Sequence, residues 1–354
     1  MFVVGDIGGT HARLSLVGSD GRPVRQSVFV SREYSSLEAL LREFLGKPAP
    51  AISAAAFGIA GPVVGTRVSA TNLPWVIDSR VVARKLGIPR VTLLNDLVAL
   101  SLGAHGLPHR KLRILGDAGA PKKTGANIAV IAAGTGLGEA VLVWDGGRFF
   151  PCATEGGHTD FAPRTDLELE LWQYLAKRHG HVSYERILSG DGLGAAYDFF
   201  RTVKRSVESR ENADLIDGSD DRNAAIAKLG ISRKSDAAAQ AVELFCAVYG
   251  AESGNLALKS LAVGGVYVCG NIAYHMLPVL EEGGFLKSFV DKGRFASLMS
   301  RIPVAVVPDS DVGIAGALRV AMDSSPKQAT SRAPKAPKKS ASRASRPARP
   351  SRTR

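Results

Sequence analysis

Apolar and polar residues along this chain keep two rhythms, and each predicts its own kind of element. FVVG at residues 2–5 is an unbroken apolar run that enters the glycine turn GDIGGT, after which Ala12, Leu14 and Leu16 alternate with Arg13 and Ser15. Such runs and period-two alternation predict strands. A turn at GSDGRP and a third strand, Val24 to Val30, complete the unit. The same order returns with IAVIAAGTGLG at 128–138, the alternating Ala140 to Val143, a turn at DGG and Arg148 to Cys152. The grammar of strand, glycine turn, strand, turn, strand therefore occurs twice and reads as an internal repeat. A third buried run, VYVCGN at 266–271, also ends in glycine.

The helical rhythm is clearest in SSLEALLREFLG at 35–46. Ser35 and Glu38 form a candidate capping box, Gly46 a stop, and Leu37, Leu40, Leu41, Phe44 and Leu45 one apolar face. A second helix is predicted from Thr165, with Glu168 three residues on, through Leu167, Leu171 and Leu175 to Gly180; Ser235 and Asp236 open a long Ala-rich third one. LLND at 93–96 is a strand end followed directly by an amide and a carboxylate, and DVGIAGALRVAM at 311–322 is a helix in which Gly313 and Gly316 permit close packing and Asp311 serves as cap. VESRENADLIDGSDDRN at 207–223 is charged and poorly periodic, the pattern of a mobile surface insertion. Alternating strands and helices in two related halves predict a two-lobed α/β fold with a ligand cleft at the strand ends.

Composition changes this picture in two places. The 354 residues suit about two domains, and apolar and charged fractions of 45% and 22% are those of an ordinary globular chain. The net charge of +12 suggests a nucleic-acid partner until its position is noted: residues 324–354 hold ten Lys or Arg and no acid, so the first 323 residues carry about +2. That tail has no aromatic or large aliphatic residue, the composition of a disordered segment. It reads as a solubilising extension or as a nucleic-acid tether. Cys152, Cys246 and Cys269 are odd in number and lack metal-ligand spacing, which excludes a disulfide framework and a zinc site and suits a reducing cytoplasm. The most apolar stretch, AAAFGIAGPVVG at 54–65, is short and broken by Gly and Pro, so no membrane partner is expected.

Candidate chemistry sits at the glycines. Gly8-Gly9-Thr10 lets backbone N–H groups approach phosphate oxygens where a Cβ would collide, and Thr10 adds a hydroxyl. Gly134-Thr135-Gly136 repeats that chemistry, so two turns from two lobes can hold one polyphosphate from both sides. Asp6 beside bound phosphate would be repulsive unless a divalent cation intervenes, which makes it a candidate ligand of nucleotide-bound Mg²⁺. Each turn by itself is equally a tight hairpin. Asp96 is a candidate general base, with helix capping by Asn95 or Asp96 as the plainer alternative. Glu155 and His158 are three apart, but Gly156-Gly157 between them argues for a loop, where a carboxylate and an imidazole can grip neighbouring sugar hydroxyls. Glu185 reads as half of a surface ion pair with Arg186.

The motifs GDIGGTHARLSL, LLNDLVALSLGA, AAGTGLGEA, TEGGHTDFAP, ERILSGDGL and DKGRF, in that order from residue 3 to about 320, resemble the bacterial glucokinases of the actin-like sugar-kinase superfamily. The resemblance implies an actin-like (ribonuclease H-like) two-lobed fold and ATP-dependent phosphorylation of glucose at its 6-hydroxyl. It implies a small lobe over 1–108, completed by a C-terminal segment at 303–322, a large lobe over 109–302, and the basic tail at 323–354. It places sugar contacts at Asn95, Asp96, Glu155, His158 and Glu185. Nucleotide contacts fall at Gly5, Asp6, Ile7, Gly8, Gly9 and Thr10, at Gly134, Thr135 and Gly136, and at Gly270 near the adenosine. Two residues depart from the family pattern: Cys269-Gly270-Asn271 replaces a doubled glycine, and Glu139 stands where an apolar residue is frequent. A homodimer is compatible with this reading. The alternatives are a kinase for another hexose or phosphoryl donor, and a sugar-sensing regulator whose tail binds nucleic acid.

Overall fold

The computed structural model describes residues 1–308 and 311–324; the expected disordered tail, from residue 325 on, lies outside them. The first sheet contains β1 (Phe2–Ile7), β2 (His11–Val17), β3 (Pro23–Val30) and β4 (Ala54–Ile59). A small separate sheet follows, of β5 (Val63–Val64), β6 (Arg67–Ser69) and β7 (Val76–Asp78); β8 (Val91–Asn95) then completes the first sheet in the order β3-β2-β1-β4-β8. Its helices are α1 (Leu37–Leu45), α2 (Ser79–Leu86) and α3 (Asp96–Gly106). The second sheet contains β9 (Arg113–Leu115), β10 (Ile128–Ala133), β11 (Leu137–Trp144), β12 (Phe149–Thr154), β13 (Gly265–Cys269) and β14 (Val304–Val306), in the order β12-β11-β10-β13-β14-β9. Around it lie α4 (Asp166–His179), α5 (Gly190–Thr202), α6 (Arg210–Asp217), α7 (Arg222–Ile231) and α8 (Asp236–Lys259). Four short helices, α9 (Asn271–His275), α10 (Leu277–Glu281), α11 (Gly284–Val290) and α12 (Ala296–Met299), precede the final α13 (Val312–Ser324).

The repeat seen in the sequence is a repeat of topology. β1-β2-β3 and β10-β11-β12 are antiparallel meanders, and each first strand then pairs in parallel with a strand much later in the chain, β4 or β13. Burial on both faces explains the unbroken apolar runs. In β1, Val3 and Ile7 join the core under α1, while Phe2 and Val4 face Ala317 and Ala321 of α13. In β10, Ala129 and Ile131 face the large helical core, while Ile128 and Val130 face Val98 and Leu102 of α3.

The two sheets thus meet through the helix pair α3 and α13. A Cβ on Gly316 would overlap the carbonyl oxygen of Ala99, and one on Gly103 would overlap that of Val312. Glycine at both positions lets the two backbones touch, as expected of Gly316; Gly313 instead lies beside Asp6. Residues 303–307 do not join the first sheet: β14 pairs with β13 and β9, so the return to the first sheet begins only at α13.

Helix caps follow local chemistry with one correction. Thr165 and Ser235 accept the N–H groups of Glu168 and Ala238 as predicted. The first helix is capped by Ser36, not Ser35, through the N–H of Ala39 at 3.2 Å; Ser36 has the extended backbone a cap requires. The stretch 207–223 is also not the loose insertion its composition suggested. Ser209 caps α6, whose Ile216 is fully buried, and Glu208 accepts a hydrogen bond from the Tyr197 hydroxyl at 2.9 Å.

Candidate active site

Both central helices point their N-terminal ends, which carry partial positive charge, toward one cleft. Asn95 is the cap of α3: its Oδ1 accepts the N–H groups of Leu97 and Val98, and its Nδ2 donates to the carbonyl of Gly61 at 3.2 Å. The capping alternative is thus what the hydrogen bonds of Asn95 show. Asp96 holds the first helical position, with Oδ1 accepting the N–H of Leu97 at 2.9 Å. Burial raises its carboxyl above the usual carboxylate range, the Leu97 N–H opposes that rise, and the charge of Glu155 adds to it.

Asp6 is the penultimate residue of β1, opposite Arg13 in the hairpin register, with its carboxyl against Gly313 in the first turn of α13. Its pKa is pushed up to about 6, first by burial and then by Asp96, with Arg13 pulling it down and Asp311 pushing it up. The charge of Asp96 acting on Asp6 favours a cation at the carboxyl of Asp6, which lines a cavity. Among the described residues no three His, Cys, Asp or Glu side chains lie close enough to hold a metal alone. The donor set thus fits a hard cation whose remaining ligands are phosphate oxygens and water.

Gly8 donates its N–H to the carbonyl of His11 at 3.0 Å and accepts from the Ser31 hydroxyl at 2.8 Å, which closes the first turn. Gly9 packs against Asn72, leaving no room for a Cβ, while Thr10 is exposed. In the second turn Gly134 donates to the carbonyl of Gly136 at 2.8 Å and accepts from Gly190 at the start of α5 at 3.0 Å. Asp6 and Gly8 line a cavity of about 560 Å³ whose far wall is the third turn, Gly270 and Asn271 with Tyr274 and His275. Thr135 lines a second cavity, of about 440 Å³, with Glu185, Ser189, Arg222 and Asn223. The first glycine turn therefore shares its cavity with the third, and the second turn opens beside Glu185. Gly270 has φ +93° and a Cβ there would overlap the carbonyl of Ala133, two reasons for glycine. Gly5 and Ile7 are buried in β1 and support the turn from below.

The sugar candidates converge. Glu155 precedes the 3-10 turn Gly156–His158 and His158 ends it; both are exposed, and the charge of Glu155 reaches the carboxyl of Asp96. Glu185 makes no surface pair with Arg186. It sits in the 3-10 turn Tyr184–Arg186, accepts the N–H of Leu137 at 2.9 Å and lies 3.7 Å from Nδ1 of His158. Sequence reasoning passed over Arg13, whose place opposite Asp6 follows from the hairpin register. It also passed over Tyr249, which is fully buried in α8 and whose hydroxyl accepts the N–H of Ala133 at 3.2 Å and reaches the carbonyl of Cys269 at 3.3 Å. That phenol ties together the last residues before the second and third turns, with no local signal beyond an aromatic in an apolar helix.

Comparison with known proteins gives the family. The glucokinase family profile matches residues 3–324. The chain belongs to the glucokinase family. Its activity is that of an ATP-dependent sugar kinase. The glucokinase of Trichormus variabilis is 39% identical over 336 residues, spanning 90% of this chain and 97% of that one. Among solved structures, a glucokinase from an Antarctic psychrotroph superposes with a TM-score of 0.76 at 28% identity, covering 91% of this chain and 99% of that one. A Balamuthia mandrillaris glucokinase solved with glucose shares the fold at 21% identity and TM-score 0.73, covering 90% and 93% of the two chains. These matches establish the two-lobed actin-like fold for this family member. No helix among the described residues is long and apolar enough to cross a membrane.

Proposed function

We propose that this glucokinase-family chain binds glucose against Asn95, Asp96, Glu155, His158 and Glu185, and transfers the γ-phosphoryl group of ATP to the 6-hydroxyl with Asp96 as general base. The observation that carries the reading is the meeting of Asp96, Glu155, His158 and Glu185 at one cleft, from elements as far apart in sequence as β8 and the 3-10 turn at Tyr184–Arg186. Asp96 needs to be ionised to accept a proton and basic enough to hold it; burial moves its carboxyl toward neutrality and so improves the match. Its Oδ1 is occupied by the Leu97 N–H, which leaves Oδ2 for the sugar. As that proton leaves, the 6-oxygen attacks the γ-phosphorus and the bond to the bridging oxygen of ADP breaks.

Asp6 and the N–H of Gly9 take the phosphate side and Gly270 the nucleoside end, the N–H of Gly8 being spent on the carbonyl of His11; closure of the lobes would bring Thr135 and Gly136, which open on the cavity beside Glu185, to the other flank. Mg²⁺, held at Asp6 through phosphate and water, would neutralise charge on the transferring group. Glu155, His158 and Glu185 discriminate among sugars, since a missing or inverted hydroxyl leaves one of these polar groups without the partner it has in the closed complex. Movement of the segment 109–302 toward 1–108 and α13 would exclude water from the transfer.

A coupled assay of the full chain with MgATP and a panel of glucose, mannose, fructose, N-acetylglucosamine and N-acetylmannosamine tests this. Glucose should have the highest kcat/KM; a better N-acetylhexosamine would overturn the sugar assignment, and turnover with polyphosphate in place of ATP the donor assignment.

A further inference from the structure

Glu139 in β11 is nearly inaccessible, yet it directs a carboxyl group at a neighbour of the same charge. Its Oε1 is buried without a hydrogen-bond donor, and its carboxyl lies within bonding reach of Glu252, which is fully buried in α8. Two ionised carboxylates cannot bond each other, whereas one carboxylic acid and one carboxylate can. Glu252 takes the donors nearest the pair: Lys259 donates to its Oε1 at 3.3 Å and Asn255 to its Oε2 at 2.8 Å.

The pair sits directly behind the sugar loop. Oε2 of Glu139 occupies the place a Cβ on Gly156 would take, so the backbone between Glu155 and His158 rests on this carboxyl. On the other side Asn255 donates to the hydroxyl of Tyr184, the residue before Glu185, at 3.0 Å. Lys292 of the DKGRF motif completes the network through Oδ1 of Asn255 at 2.8 Å and the carbonyl of Ala251 at 3.0 Å.

We propose that Glu139 is a positioning residue: sharing one proton with Glu252, it supports the loop of Glu155 and His158 from behind and couples it to the turn that carries Glu185. The inference rests on the sugar-binding assignment above. Burial, with Glu252 next, raises the Glu139 carboxyl well above the usual carboxylate range, so the proton is retained at neutral pH. The charged and titratable groups facing the pair are Lys259 and Tyr249 from α8, Tyr184 from its 3-10 turn, and Lys292 from the loop after α11. As the pH rises, Glu139 ionises, the shared hydrogen bond becomes a repulsion, and the loop loses its support.

Glu139→Ala and Glu139→Gln test the role by steady-state kinetics with glucose and ATP varied separately, with thermal unfolding as a control. Glu139→Ala should raise the glucose KM about tenfold and leave the ATP KM within about twofold. Glu139→Gln, which donates as the acid does, should restore the glucose KM. The wild-type glucose KM should climb above about pH 8 and that of Glu139→Gln should not, since an amide has no proton to lose. An unchanged glucose KM in Glu139→Ala, or the same alkaline rise in Glu139→Gln, overturns the proposal; should Glu139→Ala fail to fold, the Gln pH profile decides alone. A wild-type chain that phosphorylates no glucose would bring down the sugar assignment itself, whereas glucose turnover with an indifferent Glu139 removes only the positioning role.

Discussion

Asp6→Asn should make this protein more stable while disabling it, and the pH at which the gain emerges is set by the site's electrostatics. The carboxyl is raised from its ordinary 3.8 to about 6, chiefly by burial and the charge of Asp96. A carboxyl raised on folding costs stability once it ionises. Below pH 3.8 the folded and unfolded chains both hold the proton and nothing is lost; between 3.8 and about 6 the unfolded chain releases it first; above about 6 the full cost is present. Spread over that range the cost comes to about 3 kcal/mol, an upper bound because the cleft can admit water. Asparagine cannot ionise, keeps nearly the same shape, and forfeits only the attraction of Arg13. Urea unfolding of both proteins at about pH 4.5 and about pH 8, without nucleotide or divalent cation, measures the effect. The variant's advantage should grow by roughly 2 kcal/mol between the two conditions, and its kinase activity should be lost at both. An advantage that is absent, or equal at both pH values, would refute the account of Asp6 as a buried carboxyl strained by its neighbours.

Asp96→Asn should lower kcat by about 10² to 10⁴, or roughly 3 to 5 kcal/mol, with no loss of thermal stability; near-normal turnover would remove Asp96 as the base. Gly316→Val should destabilise by about 3 kcal/mol or more through overlap with the Ala99 carbonyl, read as a lowered thermal midpoint. Ser36→Ala should cost about 1 kcal/mol and Ser35→Ala almost nothing, a pair of thermal melts that separates the observed cap from its neighbour.

Much of the candidate site's local structure was readable before any fold was known, where it depends on neighbouring residues. Gly8 and Gly9 announce a turn free of Cβ atoms, Asn95 and Asp96 sit at a strand-to-helix junction recognisable from LLND, and the alternation after Thr10 sets the register that puts Arg13 opposite Asp6. Glu185 was misread as a surface ion pair because its partners, Leu137 and His158, lie 48 and 27 residues away in the chain. The charged stretch at 207–223 looked loose because one residue, Ile216, does the burying, too few for a periodic signal.

By itself the amino-acid order determined the strands, the glycine turns, the twofold repeat and most helix ends, because these depend on side-chain period, backbone sterics and caps within a few residues. Tertiary structure decided which turns share a cavity, that α13 brings its first turn to Asp6, and that Glu139 stands behind Gly156. Those outcomes depend on how closely two helices cross at Gly103 and Gly316 and on which faces of two sheets they cover. Close packing settles both, through contacts between residues hundreds of positions apart that leave no periodic trace in the sequence.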